Sequence, residues 1–153
     1  MSNSQEVRVR ALRPSDKDGW ARLWKGYLAF YETSVAPSVY DSTFERLLSN
    51  DPHRFHGLVA EQGGQLVGLV HYLFHDHAWK IEQVCYLQDL YADPDVRGSG
   101  VGRALIEAVY AAADAANAPS VYWLTQDFNH QARKLYDRIG VLTPFIRYNR
   151  PAQ

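Results

Sequence analysis

The stretch that decides the fold of this chain is Leu90-Tyr91-Ala92-Asp93-Pro94-Asp95-Val96-Arg97-Gly98-Ser99-Gly100-Val101-Gly102-Arg103. Its composition predicts a strand that runs into a turn with three alternate glycines and then directly into a helix. Glycine adopts backbone conformations that other residues avoid, and it lets the chain come close to a ligand. The first N–H groups of a helix lack partners inside the helix, and the helix dipole adds about half a positive charge there. The segment therefore predicts a phosphate-binding turn, to which Arg97 and Arg103 add positive charge.

Two widespread phosphate-binding motifs do not fit this turn. The dinucleotide motif G-x-G-x-x-G, started at Gly98, requires a small residue at position 103, where the sequence has arginine. The P-loop motif requires a lysine at a fixed distance after its glycines, and no lysine stands there. We therefore expect a different phosphate ligand, and the alternative is a tight strand-to-helix turn that binds nothing.

Hydrophobic periodicity on either side of the turn predicts one α/β domain over residues 1–153, with a mixed central sheet. The predicted order of elements is β-α-α-β-β-β-α-β-α-β. Strands are expected at residues 7–13, 55–61, 66–74, 81–92, 120–125 and 145–149. A first helix is expected after a cap at residues 15–18, with its apolar residues between 20 and 28, a second from residue 41 to near residue 50, and two more at 101–116 and 129–139.

Composition limits the classes of protein to which the chain can belong. Its 153 residues are 46% apolar and 22% charged, which is typical of a soluble globular domain. The net charge of −1 does not favour nucleic-acid binding, because such proteins usually carry a concentrated basic excess. No signal peptide is visible at residues 1–10, and the apolar stretches fall short of the ~20 residues of a membrane span. The single cysteine, Cys85, fits a reducing compartment, so we expect a cytoplasmic protein without a membrane partner.

Two separated motifs resemble one family. Arg97-Gly98-Ser99-Gly100-Val101-Gly102 resembles the R/Q-x-x-G-x-G/A signature of the GCN5-related N-acetyltransferase (GNAT) superfamily, and residues 129–136 resemble its N-x-x-A-x-x-x-Y element. Residues 86–101 and 120–136 are more similar to a fungal group of amino-acid and histone-tail acetyltransferases than to polyamine or thialysine acetyltransferases. The resemblance implies the GNAT fold and transfer of the acetyl group of acetyl-CoA to a primary amine, by direct attack in a ternary complex.

The resemblance also implies which residues bind the cofactor. The backbone groups of Leu90, Tyr91 and Ala92 would pair with the pantetheine arm and stabilise the oxyanion. The pyrophosphate would lie on the backbone of Gly98, Ser99, Gly100, Val101, Gly102 and Arg103. Asn129 would contact the cofactor arm, and its position before a helix also predicts an N-cap.

The resemblance makes Tyr136 the candidate general acid, which would donate a proton or a hydrogen bond to the departing thiolate. The alternative is a core position, because Tyr136 lies on the apolar face of its predicted helix. An amine must lose a proton before it can attack, so a base is also expected. Relatives that acetylate polyamines have a glutamate where this chain has Gln88, which counts against a polyamine substrate. Asp89, Glu32, Glu82 and an ordered water remain as candidate bases.

Aromatic side chains are candidates to line the acceptor pocket, with core packing as their alternative. They are Tyr27, Phe30, Tyr31, Trp79 and Trp123, and Glu32 is a candidate partner for a cationic acceptor. No metal site is expected, because His71, His75 and His77 lack further ligands at zinc-like spacing. A homodimer is expected from the resemblance, with residues 145–148 joining the sheet edge of a partner, and the alternative is that this segment forms an edge strand within its own chain.

Two other functions remain open. The chain is a non-catalytic acyl-CoA-binding or sensor module if the chemistry has been lost. It is an acyltransferase for another acyl-CoA if the donor differs.

Overall fold

The computed structural model describes residues 6–96 and 98–152. Over these residues the chain forms five strands and four helices. The strands are β1 (Arg8–Ala11), β2 (His56–Gln62), β3 (Gln65–His75), β4 (Val84–Ala92) and β5 (Val121–Tyr122). The helices are α1 (Lys17–Phe30), α2 (Pro37–Leu48), α3 (Val101–Ala115) and α4 (His130–Ile139).

The strands lie in one sheet in the order of the chain. β1, β2, β3 and β4 pair antiparallel, and β5 pairs parallel to β4. Because neighbouring parallel strands need a crossover connection, α3 joins β4 to β5. The turn that decides the fold therefore lies where β4 ends and the crossover begins.

Helices cover both faces of the sheet. Side chains alternate along a strand, so Val59 and Leu69 pack with α1 and α2, whereas Ala60 and Val70 pack with α3. Trp20 of α1 is fully buried in the first of these two layers. The sheet is thus buried on both sides. A ligand site must therefore lie at the strand ends, in the loops or at the ends of the helices.

The predicted α/β fold is confirmed, although several elements begin or end a few residues from their predicted bounds, among them α2 and β5. α2 begins at Pro37 rather than at residue 41, because proline fits the first turn of a helix, where its missing N–H is not needed. β5 is only two residues long, since the ladder to β4 contains the pairs Cys85–Val121 and Tyr86–Tyr122 and the strands then separate.

The predicted closing strand at residues 145–149 is wrong. Residues 141–152 form neither helix nor strand, and the side chains of Phe145 and Ile146 are 82% and 79% exposed. An extended segment becomes a strand only beside a neighbour that supplies hydrogen-bond partners. Within the described part of the chain, β5 is the last strand of the sheet and this segment does not pair with it.

No helix among residues 6–96 and 98–152 combines the length and the apolar character that a bilayer crossing requires.

Candidate active site

The turn between β4 and α3 is built by backbone conformation. Gly98 and Gly100 have φ angles of +86° and +84°, in the left-handed region that favours glycine. Gly100 is the N-cap of α3, and a Cβ atom added there would meet open space. The first N–H groups of α3 are therefore uncovered, as the sequence predicts for an anion site. Arg97 lies outside the described residues.

A cavity of about 420 Å³ lies against this turn, and we call it the main cavity. The end of β4, the turn, and helices α1 and α4 form its walls. The residues that line it are Tyr27, Phe30, Tyr31, Leu90, Tyr91, Ala92, Val96, Gly98, Gly100, Val101, Gly102, Arg103, Asn129, Gln131, Ala132, Lys134, Leu135, Tyr136 and Arg138. The structure thus brings together most of the predicted cofactor-binding residues, which are up to 46 positions apart in the chain.

A smaller side recess lies where β4 and β5 separate, and it shares Tyr27, Tyr31, Leu90 and Tyr136 with the main cavity. Its other lining residues are Leu87, Gln88, Trp123 and Leu124. Two of the predicted substrate residues, Tyr31 and Trp123, therefore lie at this end of the site.

Tyr136 lies where the main cavity and the side recess meet. Its ring packs edge-on against Trp123, with the ring centres 5.5 Å apart. Burial, with a smaller effect of the nearby Tyr31, raises the pKa of Tyr136 to about 12. The phenol is thus fully protonated at neutral pH and available as a hydrogen-bond donor.

Asn129 caps α4, as predicted. Its side-chain oxygen accepts from the Ala132 N–H at 3.4 Å, and its amide nitrogen donates to Oγ1 of Thr125 at 3.2 Å. Because Asn129 also lines the main cavity, the cap places a polar side chain at the cavity wall.

Asp89 is a buried carboxylate on β4, opposite His71 of β3. Its Oδ2 lies 2.8 Å from Nδ1 of His71 and accepts a longer hydrogen bond, 3.4 Å, from the indole of Trp24. Asp89 does not itself line the main cavity or the side recess, but it lies close to Tyr27 and Tyr31, which line both. His71, one of the three histidines considered as metal ligands, is therefore paired with Asp89 in the core.

Other predicted residues lie away from the site. Glu32 follows α1 with its side chain exposed, and Glu82 lies before β4, so neither lines the cavity. Trp79, on the loop between β3 and β4, is 86% exposed and packs on His77. Ser99 lies on the turn, but its hydroxyl donates to the Val96 carbonyl. Among the residues that the structure describes, no cluster of three His, Cys, Asp or Glu side chains fits a metal ion.

Comparison with known sequences identifies the family. The model of the acetyltransferase (GNAT) family matches residues 20–141. The chain belongs to this family. D-amino-acid N-acetyltransferase HPA3 of Saccharomyces cerevisiae is 37% identical over 148 residues, which cover 96% of this chain and 92% of that protein. Thialysine N-epsilon-acetyltransferase of Bos taurus is 33% identical, over 88% of this chain and 83% of that protein.

Solved structures show the same fold. Ribosomal-protein-alanine N-acetyltransferase from Brucella melitensis superposes with a TM-score of 0.80 at 23% identity, over 95% of this chain and 99% of that one. The aminoglycoside acetyltransferase AAC(6')-Iy, in complex with a CoA-containing bisubstrate analog, gives a TM-score of 0.82 at 17% identity, over 97% and 99% of the two chains. The GNAT fold expected from the two motifs is thereby confirmed.

The residues of the main cavity fit acetyl-CoA, the acyl donor of GNAT enzymes. Gly98 and Gly100 leave space for a phosphate beside the N-terminus of α3. The walls between this turn and Tyr136 are mostly apolar, which suits a pantetheine arm. This GNAT protein is an acetyl-CoA-dependent N-acetyltransferase.

Sequence reasoning missed three polar residues of α4. Gln131, Lys134 and Arg138 line the main cavity, and the two basic side chains add positive charge near the turn. Their spacing of three and four residues puts them on one helix face, which was the available signal. The same spacing is typical of a solvent-exposed helix face, so it did not distinguish a cavity-lining face from an exposed one.

Proposed function

We propose that this acetyltransferase acts on the amino group of a free amino acid or a similar small amine, with residues 1–153 forming one domain. The observation that carries this proposal is the acceptor end of the site, where tyrosine side chains enclose a side recess backed by the buried Asp89. The recess, of about 20 Å³, has room for little more than an amino group, so the rest of a small acceptor would lie in the adjoining main cavity of about 420 Å³. The names of the two related enzymes, which act on a D-amino acid and on thialysine, support the same class.

In this proposal the turn and the end of β4 hold the donor. The N–H groups at the start of α3 receive the pyrophosphate, and the backbone of residues 90–92 faces the pantetheine arm. Arg103 contributes less charge than its sequence position suggests, because it pairs with Glu107 at 3.2 Å. Lys134 and Arg138 supply the additional positive charge.

Tyr136 acts by hydrogen bonding rather than by complete proton transfer. Acetyl-CoA supplies a thioester, whose sulfur leaves as a thiolate when the amine attacks the carbonyl carbon. An alkyl thiol has a pKa of ~8.5, which is ~3.5 units below the pKa of about 12 of Tyr136. Complete transfer from the phenol would cost roughly 5 kcal/mol, whereas donation of a hydrogen bond stabilises the sulfur without that cost.

Asp89 is the candidate base that the fold supports. Of the three carboxylates considered, Asp89 lies behind the acceptor end, whereas Glu32 and Glu82 lie elsewhere. Its charge also attracts an acceptor that arrives as an ammonium ion.

The C-terminal segment supports a homodimer. Residues 141–148 carry five exposed apolar side chains, and β5 leaves one edge of the sheet open among the described residues. The exposed side chains are those of Val141, Leu142, Phe145, Ile146 and Tyr148. An exposed apolar segment and an open sheet edge are complementary, so we propose that two copies exchange this segment.

We place the protein in the cytoplasm. Cys85 is fully buried, and burial raises the pKa of its thiol to about 11, so it is neither exposed nor readily ionised. A lone, inert thiol suits a reducing compartment.

An acceptor screen tests the proposed function. Purified protein is incubated with acetyl-CoA and with D- and L-amino acids, thialysine, lysine peptides, polyamines and aminoglycosides, and the acetylated products are measured by mass spectrometry. We expect turnover of free amino acids above peptides and polyamines. Binding of coenzyme A without turnover of any amine would instead support a sensor module. Activity only with longer acyl-CoA donors would show that the donor is not acetyl-CoA.

A further inference from the structure

A buried chain of hydrogen bonds lies behind the acceptor end of the site. The Nε1–H of Trp20 donates to Nε2 of His71 at 2.9 Å, and Nδ1 of His71 lies 2.8 Å from Oδ2 of Asp89. Trp20 is fully buried, and His71 and Asp89 are 3% and 8% exposed. This series of hydrogen bonds connects helix α1 with strands β3 and β4.

The indole fixes the tautomer of His71. An indole N–H is only a donor, so Nε2 of His71 must accept and carries no proton. The neutral ring then has its proton on Nδ1 and donates to Asp89. Trp24 donates to the same oxygen at 3.4 Å. The N–H groups of His71 and Trp24 both donate to Oδ2 of Asp89, as an ionised carboxylate requires. They fix its orientation from the side away from the cavity.

Tyr27 connects this carboxylate to the cavity. Its side chain lines both the main cavity and the side recess, whereas Asp89 lines neither. Burial raises the pKa of Tyr27, and the negative charge of Asp89 and a hydrogen bond to it raise this pKa further. Tyr27 follows Trp24 by three residues on the same face of α1, and Trp24 contacts Asp89, so the Tyr27 phenol lies beside this carboxylate. The protonated hydroxyl is placed to donate to Asp89, which leaves its oxygen lone pairs for a donor in the cavity.

We propose that Tyr27 relays a proton from the acceptor ammonium to Asp89, and that His71 and Trp20 are positioning residues that hold the carboxylate in place. The proposal rests on the proposed acetylation of small amines. In the step, an N–H bond of the ammonium breaks and its proton goes to the Tyr27 oxygen, while the Tyr27 proton goes to a carboxylate oxygen of Asp89. The electron pair stays on nitrogen, so the amine becomes nucleophilic and Asp89 becomes a neutral acid, which returns its proton to water after acetyl transfer.

This relay does not require a tyrosinate. The phenol receives one proton as it gives another, so Tyr27 is neutral before and after the step. A free alkylamine with a pKa of ~10.4 is uncharged in only about one molecule in 2,500 at pH 7, so deprotonation is a substantial part of the task.

Two acceptors that differ in charge test the relay. One is the best primary amine from the acceptor screen, and the other is its analogue with a trifluoromethyl group on the amine-bearing carbon, which is largely uncharged at neutral pH. We expect Tyr27→Phe and Asp89→Asn to lower kcat/KM at least ~tenfold with the cationic amine and by less than ~threefold with the uncharged one. The loss with the cationic amine should shrink as the pH rises towards 10, because solvent then deprotonates the amine.

The positioning residues are tested by the same pair of amines. Trp20→Phe and His71→Leu should reduce the preference for the cationic amine, and His71→Asn, which keeps a donor for Asp89, should restore part of it. The ratio of the two kcat/KM values within one variant does not depend on the folded fraction, so partial unfolding does not obscure the result. Tyr40→Phe is the control, since Tyr40 packs edge-on against Trp20 and Trp24 and lies outside the relay.

Three outcomes would overturn the relay. Equal losses with both amines would make Tyr27 a residue that only shapes the pocket, and full activity of Tyr27→Phe would remove it from the mechanism. If the wild-type protein acetylates no amine, the proposed function fails and the relay fails with it. The first two outcomes leave the proposed function intact.

Discussion

The hydroxyl of Tyr91 lies directly against Gly26, since a Cβ atom added to Gly26 would come within 2.5 Å of the Tyr91 oxygen. Gly26 is in the interior of α1, where glycine costs about 1 kcal/mol of helix stability relative to alanine. Only glycine leaves room for the Tyr91 hydroxyl at this position, because β4 and α1 approach closely here. The contact packs the side chain of Tyr91, which lines the main cavity, against α1.

We expect Gly26→Ala to destabilise the protein although alanine is the better helix former. The displaced ring costs about 1–3 kcal/mol, which exceeds the gain of about 1 kcal/mol in helix propensity. Thermal unfolding measures the change, and Tyr91→Phe in the Gly26→Ala background should recover part of it. A Gly26→Ala protein with a higher melting temperature would show that Tyr91 moves without cost.

Gly100→Ala should weaken the binding of coenzyme A. The new methyl group would occupy open space beside the N–H groups of α3, and the φ of +84° adds backbone strain of about 1–2 kcal/mol. Gly64→Ala is a matched control, because Gly64 has a φ of +80° with open space around it and lies in the β2–β3 turn. Calorimetry should give at least ~tenfold weaker binding for Gly100→Ala alone, with similar melting temperatures for both variants. Equal affinity in the two variants would argue against a phosphate site at this turn.

Tyr136→Phe should lower kcat at least ~tenfold with little change in the KM for acetyl-CoA, because the lost hydrogen bond forms only as the thiolate leaves. Tyr110→Phe is the control. Its hydroxyl donates to the Ile139 carbonyl at 2.7 Å, so its loss should lower stability by about 1 kcal/mol without lowering kcat. Steady-state kinetics and thermal unfolding of both variants separate the two effects, and an unchanged kcat in Tyr136→Phe would dismiss its role.

The pH dependence of kcat follows from the raised pKa of Tyr136. Burial favours the neutral phenol, so Tyr136 keeps its proton until the pH approaches about 12. We therefore expect no loss of kcat between pH 7 and 10 from ionisation of this group. A basic limb below pH 10 that Tyr136→Phe abolishes would contradict the assignment.

Substitution of the exposed C-terminal side chains should abolish dimerisation. Phe145→Ser combined with Ile146→Ser removes apolar surface from the segment that we expect two copies to exchange. Trp79→Ser is the control, because Trp79 is similarly exposed but lies on the β3–β4 loop. Sedimentation velocity should give a dimer for the wild type and Trp79→Ser and a monomer for the double variant. A monomeric wild type would remove the homodimer proposal.

Local sequence patterns predicted the parts of this protein that depend on neighbouring residues. The glycines before α3 and the cap at Asn129 lie where the sequence placed them, because both follow from the geometry of a helix N-terminus. The closing strand at 145–149 failed for the opposite reason. Its alternation was real, but a strand also needs a partner, and a partner is not encoded in the segment itself.

The sequence by itself therefore determined the family, the donor and the glycine turn that we propose as its phosphate site, since these reside in short contiguous motifs. Only the tertiary structure decided which distant side chains meet. In the fold, Trp20, His71 and Asp89 form one hydrogen-bond network. Glu32 and Trp79 lie away from the site, whereas Lys134 and Arg138 line the main cavity. Such contacts depend on how strands and helices pack against each other, so spacing along the chain carries little information about them.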